Sequence, residues 1–381
     1  MRIAHFCDSH TGRPDGVIRS TELTVALLRD AGLPVDLYRP GTVPSVPVPF
    51  RQVRVGLPFR ARPADIVHAH TSGPIGVTGF RAAAAWRVPL VVTWHTDLLA
   101  YADLFAEIPA GAAWCARSLG LGWTPREYRE LTRPGAVRRR RLEVLGRALF
   151  ARMAVAIAPS GKTAAGFAAF QPTVPVHVLP TPVSVDPAFA EHRDRNVVLS
   201  VGRGTPEKNP ELLLQAFAKV VASRPATRLI LLGVHRQRRH LTHRVAALGL
   251  GGHVDIQPPV PYRQVSDLYR SSGVLAFAST TDTQGLVLAE AEAHGLPVVL
   301  ADRGLATRPG RVGGDRFTCE PEPDAFAAAL LRMLDDESLR ARVISEGRRA
   351  AEAYSPEIFR DRLLEIYRSA RPVTELRPRA D

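Results

Sequence analysis

The chain has 381 residues, long for a single core, so length alone predicts two domains. Its hydrophobic fraction of 45% is that of a soluble globular protein, and no apolar run approaches the ~20 residues that a membrane-crossing helix needs. The formal charge of +13 would suit a nucleic-acid partner, but Lys162, Lys208 and Lys219 are the only lysines; arginine dominance with abundant Ala and Pro reads as compositional bias, and nucleic acid is excluded as the expected partner.

Two further bounds follow. The charge is uneven: residues 1–190 hold 22 basic and 13 acidic side chains, a balance of +9, against 28 and 24 in the remainder. The first half could therefore meet an anionic membrane surface or an acidic substrate. Cys7, Cys115 and Cys319 are too few and too scattered for a disulfide framework or a zinc site, which fits a reducing cytoplasm. The N-terminal MRIAHFCDSH turns polar quickly and reads as a first strand, not a secretion signal.

In chain order, Arg2–Cys7 reads as a strand, Thr21–Ala31 as a helix stopped by Gly32, and Pro34–Tyr38 as a second strand. Ile66–Ala69, Leu90–Thr93 and Val155–Ala158 are short apolar runs of the buried-strand type. Residues 101–152 interrupt this series with helical, arginine-rich sequence; Leu142, Leu145, Leu149 and Met153 share one helical face behind the run Arg138 to Arg141. Pro-rich stretches at 40–49 and 171–187 read as loops, the second linking two domains. The pattern then restarts. Strands are expected at Val197–Val201, Arg228–Leu232, Val254–Gln257, Val274–Ala278 and Pro297–Ala301. Helices are expected at Pro210–Ser223, Leu241–Leu248, Val265–Ser271 and Leu286–His294. Strands alternating with helices predict an α/β protein with two parallel sheets, whose ligands sit at the carboxyl ends of the strands.

The chemistry concentrates in two distant motifs. Val201-Gly202-Arg203-Gly204-Thr205-Pro206-Glu207-Lys208-Asn209 offers two cations at a strand-to-helix turn, suited to a diphosphate and to charge developing on a leaving group. Thr281-Asp282-Thr283-Gln284-Gly285 offers a carboxylate before a helix N-terminus, and Glu290 lies eight positions beyond Asp282. Carboxylates suit sugar hydroxyls, so the pair points to a nucleotide-sugar. On spacing alone, a solvated turn explains the cations equally well. In the first half Gly12 and Gly16 flank the loop after the first strand, where backbone could approach phosphate or sugar. His95 follows an apolar strand as a site residue would, although a structural histidine is an equal reading. His68 and His70 look like a metal pair but lack a carboxylate or Cys at ligand spacing, so no metal is expected.

With these residues in place the chain resembles the retaining GT-B-fold glycosyltransferases of family 4, over nearly its whole length. The family's Gly-Arg then Glu-Lys pattern is met by Gly202, Arg203, Glu207 and Lys208, and its spaced glutamates fall at Asp282 and Glu290. Asp65-Ile66-Val67-His68-Ala69-His70, Trp94-His95-Thr96-Asp97, Ser160 and the Gly16 loop also look like family segments. The resemblance implies two Rossmann-like domains facing across a cleft, with residues 1–188 on the acceptor side and 189–354 on the donor side. A C-terminal helix at 355–372 packing back on the first domain and a tail at 373–381 complete the expectation.

It also implies roles. Arg203 and Lys208 would hold the donor diphosphate, and Glu290 the ribose hydroxyls. Asp282 with the amides at Gln284, Gly285 and Leu286 would hold the donor sugar, flanked by the Gly16 loop and His95. The expected activity is metal-independent, retaining transfer from a nucleotide-diphosphate sugar, UDP ahead of GDP, to a small-molecule or lipid-linked hydroxyl acceptor. Peripheral contact with the inner face of a membrane is kept open; a sugar-phosphate synthase, an epimerase or a non-catalytic nucleotide-binding module are the alternatives. Three positions depart from the family. Asp282 stands for a glutamate, Gly233-Val234-His235-Arg236 for Gly-x-Gly-Pro, and Leu305-Ala306-Thr307-Arg308-Pro309 for a Gly-Gly-x-x-Glu segment.

Overall fold

The computed structural model describes residues 1–10, 16–47, 54–186, 193–235 and 237–373. Gly12, Arg236 and the tail beyond 373, singled out above, lie outside them. The chain divides into two compact units, residues 1–181 with 357–381, and residues 182–356.

In the first unit, β1 (Ile3–Phe6), β2 (Val35–Tyr38), β5 (Ile66–Ala69), β6 (Leu90–Thr93), β7 (Val155–Ala158) and β8 (Val176–Val178) form one sheet in the order β2-β1-β5-β6-β7-β8. Every pairing in it is parallel. Strands β1, β5, β6 and β7 are buried at every position, the signature of a sheet covered on both faces. A small antiparallel pair, β3 (Ser45–Pro47) and β4 (Arg54–Gly56), stands apart. The covering helices are α1 (Gly16–Asp30), α2 (Pro74–Trp86), α3 (Leu98–Tyr101), α4 (Glu107–Ser118), α5 (Pro125–Glu130), α6 (Ala136–Phe150) and α7 (Gly161–Gly166).

The sequence expectations need three corrections here. Helix α1 begins at Gly16 rather than Thr21. Residues 45–47, within an expected loop, form β3. The expected linker at 171–187 contains the edge strand β8, whose short alternation among prolines hid it. The stripe Leu142, Leu145, Leu149 and Met153, expected on one helical face, lies wholly in the core of this unit. Of the arginine run before it, Arg138 donates to Leu131 O, Ala102 O and Asp103 Oδ1, and Arg141 donates to Glu127 and Glu130 while covering the Trp123 ring. Half of the run thus ties α5 to α6.

The second unit repeats the scheme with β9 (Asp194–Val201), β10 (Arg228–Leu232), β11 (Val254–Gln257), β12 (Ser272–Phe277) and β13 (Val298–Leu300), in the order β11-β10-β9-β12-β13, all parallel. Its helices are α8 (Pro210–Ser223), α9 (Arg238–Ala247), α10 (Tyr262–Ser271), α11 (Leu286–Ala293), α12 (Pro323–Asp335) and α13 (Glu337–Glu352). Helices α12 and α13 carry no chemical motif and went unread in the sequence, yet Phe326, Leu330 and Met333 of α12 complete the core against Leu213, Phe217 and Val220 of α8. The last helix, α14 (Pro356–Ser369), packs Phe359, Leu363, Ile366 and Tyr367 onto Ile3, Val91 and Val155 of the first sheet.

Strand order reverses between β9 and β12 in the second unit and between β1 and β5 in the first. Loops leaving the carboxyl ends at such switch points diverge and leave a crevice. No helix among the described residues is long and apolar enough to cross a membrane.

Candidate functional site

In the second unit both sequence motifs leave the switch-point strands. Strand β9 delivers Gly202 to Gly204; a short 3-10 turn, Pro206–Lys208, follows, and Asn209 in the left-handed region accepts from Leu212 N to start α8 at Pro210. Gly204 (φ +68°) and Gly233 (φ +94°) both need backbone conformations that side chains resist. A Cβ on Gly233 would also stand 3.0 Å from Gly202 O, and one on Gly204 would strike Leu241 and Val234. The ends of β9 and β10 are therefore bare backbone, packed against each other and against Val234 and Leu241. A pocket lies there, lined by Gly202, Gly204, Lys208, Val234, Phe277 and Ser279 among others.

Beside that backbone the charges pair. Lys208 Nζ donates to Asp282 Oδ1 at 2.6 Å and Oδ2 at 2.8 Å, with the two side chains 25% and 12% exposed. Arg203 Nη2 donates to Glu207 Oε1 at 2.8 Å. The Glu207 side chain is buried and its Oε2 has no partner. Its backbone oxygen is the joint between the motifs: the hydroxyls of Ser279 (2.7 Å) and Thr281 (3.3 Å) both donate to it. This tie sets Asp282 opposite Lys208, and Glu207 as a structural joint was not foreseen.

Glu290 takes another position than Asp282. It is buried in α11 and accepts from Tyr269 Oη at 2.8 Å, while Tyr269 is itself fully buried in α10. Gly285, in the left-handed region, caps α11 without a side-chain bond, so Gln284, Gly285 and Leu286 stand at that helix start. The segment Leu305–Pro309, one of the family departures, has a structural reading. Arg308, 1% exposed, donates from Nε and Nη2 to Glu292 Oε1 and from Nη1 to the oxygens of Gly313 and Gly314. Arg316 adds two more bonds to Glu292. The departing residue is one arm of an ion triad centred on Glu292, which fastens this loop to α11.

In the first unit the switch point holds Asp8, which sequence reasoning passed over although it directly follows β1. Its carboxylate accepts from Thr71 Oγ1 at 2.5 Å, Ile75 N at 2.8 Å and Gly76 N at 3.0 Å, closing the loop that opens α2. Burial raises its pKa, and these bonds oppose the rise. Gly16 opens α1 with nothing among the described residues within 4 Å of an added Cβ, so none of them requires glycine there. His95 stands at the end of β6 in a run of imidazoles. His5 Nδ1 and His70 Nε2 are 2.9 Å apart, and His70 Nδ1 and His95 Nε2 are 3.2 Å apart. His68 stacks on His70 but commits Nδ1 to Tyr367 Oη at 2.6 Å and Nε2 to Thr93 Oγ1 at 2.7 Å. Burial lowers the pKa of all four, to about 3 for His5 and about 4 for His95.

His5, His68 and His70 are the one group among the described residues whose ligand atoms are close enough for a metal ion. Yet both His68 nitrogens go to hydroxyls, His5 Nδ1 faces His70 Nε2, and no carboxylate or thiolate joins them, while His5 Nε2 is buried with no partner among the described residues. That donor set fits a neutral hydrogen-bonded core better than a cation site.

Both units of the chain match known protein families. The model for Glycosyltransferase Family 4 matches residues 14–187, and that for Glycosyl transferases group 1 matches residues 186–350. A D-inositol 3-phosphate glycosyltransferase of Kineococcus radiotolerans is 30% identical over 333 residues, covering 80% of this chain and 72% of its own. One of Rhodococcus opacus is 34% identical over 185 residues, where the alignment covers 46% of this chain and only 41% of the relative. Among solved structures, sucrose-phosphate synthase from Thermosynechococcus elongatus superposes with a TM-score of 0.68 at 19% identity, covering 96% of this chain and 98% of the other. Anabaena HepE, solved in complex with UDP and glucose, superposes at 0.64 and 18%, covering 97% and 100%. These likenesses show the GT-B fold, and with the matched family models and the Kineococcus relative they establish that the chain belongs to the group 1, family 4 glycosyltransferases.

Proposed function

We propose that this chain transfers a hexose-type sugar from a nucleotide-diphosphate sugar to a hydroxyl acceptor, with retention at the anomeric carbon. The observation that carries this reading is the meeting of Lys208, Arg203 and Asp282 beside the bare backbone of Gly202, Gly204 and Gly233. Glycines admit a diphosphate close to the main chain, and two cations neutralise it. Asp282 supplies the acceptor that sugar hydroxyls require.

In the reaction the acceptor oxygen bonds to the anomeric carbon as the bond from that carbon to the diphosphate oxygen breaks. The bonding pair leaves with the diphosphate, which takes the acceptor proton on the same face. Lys208 and Arg203 stabilise the charge that grows there, the task a divalent cation performs in other transferases, so no metal is needed. The scheme needs no second carboxylate of the glycosidase type. UDP is the preferred donor nucleotide, supported by the UDP and glucose found with HepE. A phosphate-bearing polyol is the preferred acceptor class, supported by the names of the curated relatives and by the basic balance of residues 1–190. The test is transfer from UDP-glucose and related donors with EDTA present, with product anomeric configuration read by NMR. An inverted product or an absolute need for divalent metal would overturn the mechanism.

A further inference from the structure

The imidazoles behind His95 form a geometry with a consequence. The His5 and His70 ring centroids are 5.2 Å apart and their nitrogens 2.9 Å apart. For His70 and His95 the values are 5.4 Å and 3.2 Å. In each pair the difference is what two imidazole radii span, so the nitrogens lie on the line joining the ring centres. The planes differ by only 19° in both pairs. The rings therefore meet edge to edge and nearly coplanar, the direction in which a ring N–H donates and a ring lone pair accepts.

Each link joins Nδ1 of one ring to Nε2 of the next. A neutral imidazole carries one proton, so a proton on His5 Nδ1 leaves His70 Nε2 bare. His70 then carries its proton on Nδ1, and the same step fixes His95. Reversing one ring reverses all three; at the far end His5 Nε2 is buried with no partner among the described residues, where an N–H left unbonded costs more than a bare lone pair, so the state with protons on Nδ1 is favoured. Desolvation by burial lowers the pKa of all three rings and keeps them neutral near pH 7.

We propose that His5 and His70 are positioning residues: a tautomer-locked chain that holds His95 in one neutral tautomer and one ring plane. The role of His95 beside the donor sugar rests on the function proposed above; the locking does not. The lock spares His95 the cost of choosing between donor and acceptor when a ligand arrives, a form of preorganisation. His68 is not a link, since both its nitrogens go to hydroxyls.

The test uses the full chain labelled with 15N-histidine, with long-range proton–nitrogen correlation at pH 7 and His95 assigned by its loss in His95→Gln. The expected result is three neutral rings protonated on the same nitrogen, all Nδ1 or all Nε2. A mixed pattern, or a charged His95, would overturn the lock. His70→Leu should leave His95 exchanging between tautomers and lower kcat about tenfold or more with little change in donor KM. His70→Asn, which keeps an amide where Nδ1 stood but drops the link to His5, should recover part of kcat by holding the His95 ring plane while leaving its tautomer unfixed. Equal spectra and rates in His70→Leu and wild type would also overturn it. If His95→Ala transfers sugar as fast as wild type, the positioning role falls with the assignment of His95, whereas the spectra judge the lock separately.

Discussion

Replacing Lys208 and Asp282 separately should move nucleotide binding in opposite directions. Without a donor, the Lys208 ammonium is gripped by both oxygens of Asp282, at 2.6 and 2.8 Å. A diphosphate must draw that ammonium toward itself in the presence of a carboxylate that repels it. A charge-assisted bond from Lys208 to phosphate is worth about 1.5–3 kcal/mol. Lys208→Ala should therefore weaken the diphosphate nucleotide about 10- to 150-fold. Asp282→Asn keeps the shape, frees the ammonium and removes one like charge, so the same nucleotide should bind about fivefold more tightly, on the order of 1 kcal/mol. Sugar transfer should fall in both variants, because Asp282→Asn loses the carboxylate that receives sugar hydroxyls. Calorimetric titration with UDP and GDP, beside steady-state transfer rates, reads both effects. Wild-type affinity in Lys208→Ala, or equal weakening in the two variants, would refute the division of labour.

Acid should destabilise the protein well before its carboxylates titrate. His5 and His95 have folded pKa values of about 3 and about 4, below the ordinary 6.5, and burial pushes His68 and His70 the same way. The unfolded chain then binds more protons below pH 6.5, so stability is complete above that value and falls as pH drops toward the folded values. His5 and His95 should each remove about 2 kcal/mol by pH 5; a Tm constant from pH 7.5 to 5 would contradict this. Glu292→Ala leaves Arg308 and Arg316 buried without their carboxylate and should cost about 3–5 kcal/mol in denaturant melts, whereas Arg303→Ala, at an exposed pair with Glu320, should cost about 1 kcal/mol or less. Gly233→Ala must both strain the backbone and crowd Gly202 O, and should lose nucleotide binding. Gly16→Ala meets none of the described residues and should melt within about 0.5 kcal/mol of wild type, so a fall in transfer would report on ligand approach alone.

What was legible in the sequence follows from local physics. Ile66–Ala69, Leu90–Thr93, Val155–Ala158, Arg228–Leu232 and Val254–Gln257 are observed with the bounds expected; the first four are mainly apolar runs of interior parallel strands, and Val254–Gln257 is a half-exposed edge strand. Strand β8 escaped because an edge strand needs only one partner and little apolar character. The Arg203 and Lys208 loop and the Asp282 loop were readable as charges at strand ends. Their tie through the Glu207 carbonyl was not, since a backbone oxygen leaves no mark on sequence. Arg308, in the segment that departs from the family pattern, is a buried partner of Glu292 beside Arg316, a side-chain pairing across 16 residues that spacing does not show. His70 was visible as half of a metal-like pair, but its line to His5 depends on strand register: β1 and β5 pair His5 with His68 and bring His70 within reach.

The most direct measurement of the central claim is nucleotide release from a panel of UDP- and GDP-sugars, with EDTA present and an acceptor set that includes phosphorylated polyols. The account predicts that one donor, a UDP-sugar before a GDP-sugar, is consumed with sugar appearing on a hydroxyl acceptor, and that Lys208→Ala loses most of this turnover. Turnover unchanged in Lys208→Ala, or no donor bound or consumed by the wild-type chain, would contradict it.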